Sequence, residues 1–244
     1  MKVVRSVRRV LSIFELFAGQ RKPATLSTVA RALELPKSSC LALLKTLEAG
    51  GYLYEVAPRA GYYPTRKWLD TARLISEADP MAARLRPALE ALHARTGETV
   101  VLARRSEGQV VYIDVVIESA ANIRYSAQPG RLMPIHATAS GKALLGNMSE
   151  PERKRLLDSI ALPSLTPETT TDKHALEVEL AAGEARGWHT TLNETEPNVT
   201  GLAAVVEMAG EPYALVIAGP AYRLEPRLDE LGAILRAVCA RATA

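Results

Sequence analysis

The segment from Pro36 to Gly51 constrains the fold of this chain most. Pro36 is suited to the first position of a helix, and Gly50-Gly51 is suited to the end of one. One face of this predicted helix is apolar at helical spacing: Cys40, Leu43, Leu44 and Leu47. The opposite face is mostly small, polar or basic: Ser38, Leu41, Ala42 and Lys45, with Ser39 and Thr46 at its flanks and Lys37 near its start. The pattern predicts a helix that packs on a core and presents its other face to a partner.

Two other helices are predicted before this one. The first carries apolar residues at helical spacing from Val7 to Phe17 and ends at Gly19. The second is short, and Ser27 is a good N-cap for it. Two short helices joined by a tight turn are typical of a helix-turn-helix, whose second helix enters the major groove of DNA. Ser27 and Thr28 therefore join the third helix as candidate DNA contacts.

A β-hairpin is predicted directly after the third helix. Residues 52–56 favour a strand, residues 58–61 favour a turn, and the chain returns through Tyr62-Tyr63. A hairpin in this place is the wing of a winged helix, and Arg59 at its tip can reach phosphate or the minor groove. The alternative is a small structural domain without a nucleic-acid partner.

The distribution of charge favours the DNA-binding interpretation. The net charge of +3 divides into +6 over residues 1–65, with ten Lys or Arg and four Asp or Glu, and −3 over residues 66–244. A basic N-terminal quarter indicates an anionic partner at that end. Residues 1–65 are therefore predicted to form a winged helix-turn-helix domain that binds double-stranded DNA.

The remaining residues favour a linker helix over 66–79 and an α+β domain over 80–244. Further helices are predicted at about 82–95, after His136, from Ser149 with a capping box to Glu152, at 172–186 and at 228–241. Strands are predicted at 99–103, 110–117 and about 123–127, with a hairpin of 202–208 and 213–218. Helices and strands in this order are typical of a sensor or an enzyme.

The sequence predicts a cytoplasmic protein without a membrane segment. Arg5, Arg8 and Arg9 interrupt the apolar residues near the N-terminus, so no signal peptide or spanning helix is indicated. Cys40 and Cys239 each fall on the apolar side of a predicted helix. Neither a disulfide framework nor a cysteine-based zinc site is therefore expected.

Motif searches predict no catalytic residues, metal or cofactor. The histidines make no metal-ligand spacing, and Gly141-Lys142 does not end a P-loop because Ala143 follows the lysine. A nucleophilic pair of Ser140 and His136 remains an alternative, in which the chain is an enzyme with an N-terminal docking domain. The favoured interpretation of His136 is a histidine that bonds backbone beside the start of a helix.

The sequence resembles the IclR-type bacterial transcriptional regulators over essentially its whole length. The resemblance is carried by LPKSS at 35–39, GYL at 51–53, TGETV at 96–100 and above all PIHATASGKALL at 134–145. It implies an N-terminal winged helix that binds operator DNA and a C-terminal GAF-like α+β domain that binds a small metabolite. It also implies a homodimer or a dimer of dimers. The expected function is a ligand-responsive regulator of a catabolic operon.

The sequence departs from this family in the helix-turn-helix. Many relatives carry arginine where this chain has Ala42, and often a polar residue at the position of Leu41. Base specificity is therefore expected to rest on Ser38, Ser39 and Lys45. Phosphate contacts are expected from two further residues: Lys37 and Arg59. In the turn, Glu34 occupies a position usually given to glycine.

The sequence also departs from the family in the ligand pocket. Relatives that bind small keto acids use an aspartate, a cysteine and two serines, whose positions here hold Thr191, Gly201, Val216 and Ala218. The remaining pocket positions match Tyr125, Met133, Ala139 and Ser140. Because polar groups and bulk are lost, the pocket is expected to be roomier and more apolar, with an aromatic acid as the leading effector. The alternative is that these small residues only pack the hairpin and no ligand binds.

Overall fold

The computed structural model describes residues 4–58, 60–116 and 123–242 of the chain. Two of the sequence predictions fall outside these ranges: the contact by Arg59 and the last residue of the strand predicted at 110–117. The chain divides into two units, Met1–Asp79 and Pro80–Ala244. Each unit has its own apolar core.

The first unit is a helix-turn-helix followed by a hairpin and one more helix. Its elements are α1 (Arg5–Gln20), α2 (Leu26–Ala32), α3 (Lys37–Ala49), β1 (Leu53–Ala57), β2 (Gly61–Pro64) and α4 (Lys67–Glu77). α1 continues past Gly19 to Gln20. Its C-cap is Arg21, which adopts a left-handed φ of 51°. Pro36 is the N-cap of α3 rather than its first residue. The predicted order of three helices and a hairpin is confirmed.

The turn between α2 and α3 contains a strained residue. Glu34 has a φ of 52°, the left-handed region in which a side chain costs free energy and glycine does not. The amide of Leu35 donates to the carbonyl of Ala30 across this turn at 2.9 Å. A non-glycine residue therefore holds the left-handed position of this turn.

The variant Glu34→Gly is expected to be more stable than the wild type by about 1 kcal/mol, because it removes the left-handed strain. Urea unfolding followed by the fluorescence of Trp68, with Trp188 replaced by phenylalanine, measures this change in the first unit. Glu15→Gly is the matched control, since Glu15 lies exposed within α1 and its replacement should cost about 1 kcal/mol. Equal losses in both variants would contradict the strain at Glu34.

α4 is attached to the rest of the first unit at its first two residues: Lys67 Nζ donates to the carbonyl of Gly50 at 2.8 Å, and Trp68 packs on two rings. The ring of Trp68 lies 3.7 Å from that of Phe14 and 4.7 Å from that of Tyr52, measured between centroids. No residue of α4 is fully buried, and Leu74 and Ile75 near its end are about 70% exposed. The helix predicted from Arg66 to Glu77 is thus present and is anchored at its start.

The second unit is built on a six-stranded antiparallel sheet with the order β5-β4-β3-β8-β7-β6. The strands are β3 (Thr99–Ser106), β4 (Gln109–Val116), β5 (Leu132–Pro134), β6 (His189–Leu192), β7 (Val199–Met208) and β8 (Glu211–Pro220). The helices are α5 (Pro80–Thr96), α6 (Ala139–Gly146), α7 (Glu150–Ser159), α8 (Lys173–Arg186), α9 (Ala221–Leu224) and α10 (Leu228–Ala242), with a 3-10 turn over Glu225–Arg227. The α+β class is confirmed.

Successive residues of the central strands enter two different cores. In β3, Val100 and Leu102 pack with α5 and α10, whereas Val101 and Ala103 pack with α6 and α8. β7 and β8 alternate in the same way. Both faces of the sheet are therefore covered by helices, which explains why these strands read as continuous apolar runs.

Two local predictions in this unit are wrong, and one strand was missed. Residues 123–127 form no strand. They are an irregular segment that buries the side chains of Tyr125 and Ala127, and the edge strand of the sheet is β5. β6 was not predicted, since four residues give too short a pattern. At the start of α7, the hydroxyl of Ser149 donates to the Glu152 carboxylate at 2.7 Å instead of accepting a backbone N–H.

Over the described ranges, no helix is both long and apolar enough to cross a membrane.

Candidate functional site

The outer face of α3 is an exposed surface of mixed chemistry. Its buried side consists of Cys40, Leu44 and Leu47. Its exposed side carries the residues predicted to contact DNA: Lys37, Ser38, Ser39, Leu41, Ala42 and Lys45. The side chain of Leu41 is 39% exposed and adds apolar surface to this face. The division of faces predicted from the sequence is present in the structure.

α2 begins two residues earlier than the predicted cap implies. The cap is Thr25, whose hydroxyl accepts the amide N–H of Thr28 at 3.2 Å, so the prediction of Ser27 as the cap is wrong. Threonine and serine are both good caps. Which of the two caps α2 depends on where the helix must start for Val29 and Ala30 to be buried. Ser27 is consequently exposed on the first turn of α2, while Thr28 is half-buried and its hydroxyl lies 3.0 Å from that of Thr25.

Lys45 is engaged by carboxylates of its own unit. Its Nζ donates to Glu48 at 2.7 Å, lies 3.9 Å from Glu55 and stands 5.6 Å from the ring centre of Tyr62. The hydrogen bond to Glu48 raises the pKa of Lys45. Any phosphate or base edge must therefore compete with Glu48 for this ammonium group.

Seven of the eight residues predicted to contact an effector line one cavity in the second unit: Tyr125, Ala139, Ser140, Thr191, Gly201, Val216 and Ala218. Met133 is not among the lining residues, although it belongs to the same apolar cluster as Tyr125 and Ala139. Four lining residues were not predicted: Tyr112, Thr138, Thr195 and Val199. Tyr112 stands on the same face of β4 as the buried Val110, and Thr138 lies within the motif at 134–145. Both could therefore have been predicted as lining residues from the sequence.

The cavity is small and rich in hydroxyl groups. Its volume is about 20 Å³, which is room for about one water molecule and not the enlarged space that was expected. The rings of Tyr112 and Tyr125 are buried at its wall, with their hydroxyl oxygens 3.5 Å apart. Desolvation raises the pKa of Tyr112 above its usual value, so this hydroxyl stays protonated and uncharged.

The first turn of α6 borders the cavity. Thr138 caps the helix by accepting the amide N–H of Gly141 at 3.0 Å, and the hydroxyl of Ser140 donates to Thr138 at 3.3 Å. The first amide groups of a helix have no partner within the helix and carry its positive end. The amides of Ala139 and Ser140 are thus placed to bind a carboxylate.

A buried lysine lies one turn further along α6. The side chain of Lys142 is 2% exposed and bonds to Glu194, at 2.5 Å, and to Glu179. The second carboxyl oxygen of Glu194 faces the amide of Thr170 at 3.4 Å. Glu194 precedes the cavity residue Thr195, so this ion cluster fixes part of the cavity wall. The lysine of the motif at 141–142 is thus engaged by two carboxylates.

His136 is bound as the structural interpretation predicts. Its Nε2 lies 3.1 Å from the carbonyl oxygen of Pro163, which can only accept, so Nε2 carries the proton. Burial lowers the pKa of this histidine. Ser140 bonds to Thr138 and not to His136. Within the described ranges, no three His, Cys, Asp or Glu side chains are grouped to hold a metal ion.

Comparison with known proteins identifies similar sequences over both units. The family model "IclR helix-turn-helix domain" matches residues 6–57, and "Bacterial transcriptional regulator IclR C-terminal" matches residues 74–243. The chain is 30% identical to the HTH-type transcriptional regulator XynR of Escherichia coli K12 over 84% of its length and 81% of the relative. It is 34% identical to the probable transcriptional regulator SauR of Cupriavidus necator, over 81% of this chain and 77% of that relative.

A solved structure is similar along nearly the whole chain. It is an IclR homolog from Microbacterium hydrocarbonoxydans in complex with 4-hydroxybenzoate. The TM-score is 0.71 at 25% identity, with 98% of this chain and 97% of that one covered.

Proposed function

Because the chain belongs to the IclR family of bacterial transcriptional regulators, we propose that it is a ligand-responsive regulator. In this proposal an effector bound by residues 80–244 alters the operator binding of residues 1–65, through the linker helix at 66–79. The observation that carries it is the cavity beside α6, where seven residues predicted from separate stretches of sequence come together. The exposed face of α3 supports the DNA-binding half of the proposal.

The effector is proposed to be a small aromatic acid. The cavity offers hydroxyl groups and apolar walls but no charged side chain among its lining residues. A carboxylate would bind at the amides of Ala139 and Ser140, and a ring would pack against Val216 and Ala218. The complex of a similar homolog with 4-hydroxybenzoate supports this class of ligand. Because the cavity holds about 20 Å³, Tyr125 must move when such a ring enters.

Isothermal titration with 4-hydroxybenzoate, benzoate and pyruvate tests the effector proposal. We expect the aromatic acids to bind and pyruvate to bind weakly, because the positions used for keto acids here hold Thr191, Gly201, Val216 and Ala218. Tight binding of pyruvate without binding of either aromatic acid would overturn the proposed class.

DNA binding is tested on a site selected from a random-sequence library. We expect a footprint on a pseudo-palindrome, and an affinity that falls steeply with salt as phosphate counterions are released. Lys45→Ala should lower the affinity for this site without changing effector binding. The absence of DNA binding even at low salt would reject the regulator.

Release of Lys45 from its carboxylate partner should strengthen DNA binding. In Glu48→Gln the ammonium group loses its 2.7 Å partner, so we expect a roughly two- to fivefold gain in affinity and a slightly steeper salt dependence. Glu230→Gln is the matched control, because it breaks a similar exposed pair with Arg227 in the second unit. Equal behaviour of the two variants would show that Glu48 does not hold Lys45 away from DNA.

A homodimer is proposed to form through the first unit. Val4, Val7 and Leu11 follow one face of α1 and are 61%, 58% and 55% exposed, and Leu74 and Ile75 add apolar surface on α4. A contiguous apolar stripe of this kind indicates a partner surface, which a second copy of the chain would cover. This assembly would also supply two recognition helices for the two halves of an operator.

The double variant Val7→Glu with Leu11→Glu should dissociate the first units, because it places two charges in the apolar stripe. Sedimentation velocity measures the loss of the larger species. Val178→Glu, at a 59% exposed position of α8, is the control and should leave the assembly unchanged. Unchanged sedimentation of the double variant would place the interface elsewhere.

A further inference from the structure

The segment over residues 123–128, called the strap here, contributes Tyr125 to the cavity wall and does not belong to the sheet. It places the buried side chains of Tyr125 and Ala127 in the core beside α6. Within the described part of the chain, no backbone–backbone hydrogen bond ties residues 123–127 to a strand. The strap is therefore held mainly by side chains of other elements.

Among the described residues, three hydrogen bonds join residues 123–127 of the strap to other elements. The hydroxyl of Thr99 donates to the carbonyl of Tyr125 at 2.7 Å. The Nη1 group of Arg223 donates to the carbonyl of Ile123 at 3.0 Å. The third, between the hydroxyls of Tyr112 and Tyr125, is long at 3.5 Å. The two short bonds thus fix the backbone on both sides of residue 124.

Arg223 is oriented by a buried glutamate. Its Nε and Nη2 groups donate to the two carboxyl oxygens of Glu98 at 2.7 and 2.8 Å, and the Glu98 side chain is 5% exposed. Because Nε and Nη2 are both bonded to Glu98, Nη1 points away from the carboxylate and donates to the strap. The absence of a side chain at Gly219 leaves space for the Glu98 carboxylate, because a Cβ there would lie 2.4 Å from Glu98 Oε2.

We propose that Glu98 and Arg223 are positioning residues that keep the strap closed and so limit the entry of ligand into the cavity. This inference rests on the proposed function of the cavity as the effector site. A cavity of about 20 Å³ is too small for an organic acid while the ring of Tyr125 stays in place. The bonds to the carbonyls of Ile123 and Tyr125 hold the backbone that carries this ring. A ligand that binds only the open strap has an apparent affinity reduced by the fraction of molecules that are open. The pair of Glu98 and Arg223 thereby sets the effector concentration to which the protein responds.

A thiol placed inside the cavity measures opening without any effector. Ser140→Cys puts this thiol at a fully buried cavity position, and iodoacetamide labelling of its peptide is followed by mass spectrometry in the full chain. Arg223→Lys keeps a cation for Glu98 but lacks the fork that reaches Ile123. Thr99→Val removes the other bond with little change of shape. Arg227→Lys is the matched control, since Arg227 forms an equivalent fork with the exposed Glu230 and does not contact the strap.

In the Ser140→Cys background, we expect Arg223→Lys and Thr99→Val each to speed labelling of residue 140 roughly five- to tenfold, the factor that one net hydrogen bond supplies. Arg227→Lys should leave the rate unchanged. Cys239 is the internal control: burial in the other core raises its pKa to about 12, and its labelling should not accelerate.

An unchanged rate at residue 140 in Arg223→Lys would overturn the proposal, whatever Thr99→Val does. An equal acceleration at Cys239 would also overturn it, because the whole unit would then be loosened. Since labelling needs no effector, failure of every aromatic acid to bind would contradict the proposed effector, and the labelling rates would still decide the role of Arg223.

Discussion

Replacement of Lys142 by methionine is expected to destabilise the second unit by about 3–5 kcal/mol, one of the two largest effects predicted for this chain. The ammonium group is almost fully buried and lies between Glu194 and Glu179. Without it, the buried carboxylate of Glu194 has no counter-charge, and burial already raises the pKa of this group. Urea unfolding followed by Trp188 fluorescence, with Trp68 replaced by phenylalanine, measures the change.

The pH dependence of the Lys142→Met variant provides a second check. A carboxyl group with a raised pKa in the folded state binds its proton more tightly there than in the unfolded chain. Its contribution to stability is fully present below the unfolded pKa and is lost as the pH rises through the folded pKa. The variant should therefore recover stability below the ordinary carboxyl range, and adding Glu194→Gln should restore much of the loss at neutral pH.

Lys173→Met is the control for this prediction. Lys173 pairs with Asp158 at 2.8 Å, but both side chains are about half exposed. Its loss should cost less than about 1 kcal/mol. A similarly small cost for Lys142→Met would show that the buried cluster contributes no more than a surface ion pair.

Gly141→Ala is expected to cost about 3 kcal/mol or more, or to prevent folding of the second unit. A Cβ at this position would lie 1.8 Å from the carbonyl oxygen of Ile135 and 2.7 Å from its Cα. These are backbone atoms, so no side-chain rotation relieves the clash. The same measurement of Trp188 fluorescence in urea reports the loss.

The matched control is Gly19→Ala in α1, where nothing lies within 4 Å of the added Cβ. That change should stabilise its helix by up to about 1 kcal/mol. A Gly141→Ala protein as stable as the wild type would show that the approach of α6 to Ile135 relaxes easily.

The parts of the fold that follow from local patterns could be predicted from the sequence. The faces of α3 follow from helical spacing, and the hairpin of β7 and β8 follows from two apolar runs around Ala209-Gly210. The strap was mistaken for a strand because buried residues at positions 125 and 127 alternate as they do in a strand. Alternation reports burial, and it does not report pairing to a neighbour.

The candidate site was partly predictable for a similar reason. The resemblance brought together positions from four stretches of sequence, and the structure collects them at one cavity. The volume could not be predicted, because it depends on where the rings of Tyr112 and Tyr125 pack. The partners of Lys142 and Arg223 come from distant positions, and no spacing rule links residue 98 to residue 223. A lysine between apolar residues of α6 was nevertheless a signal for a buried carboxylate.

The alternation of the central strands has a consequence for how such a protein could be re-engineered. In β8, Val216 and Ala218 face the cavity, whereas Leu215 and Ile217 belong to the opposite core with α5 and α10. A mutant library confined to every second residue of this strand would therefore vary the chemistry of the cavity and leave the opposite core intact. Such a library would confine its effects on stability to the core that contains the cavity.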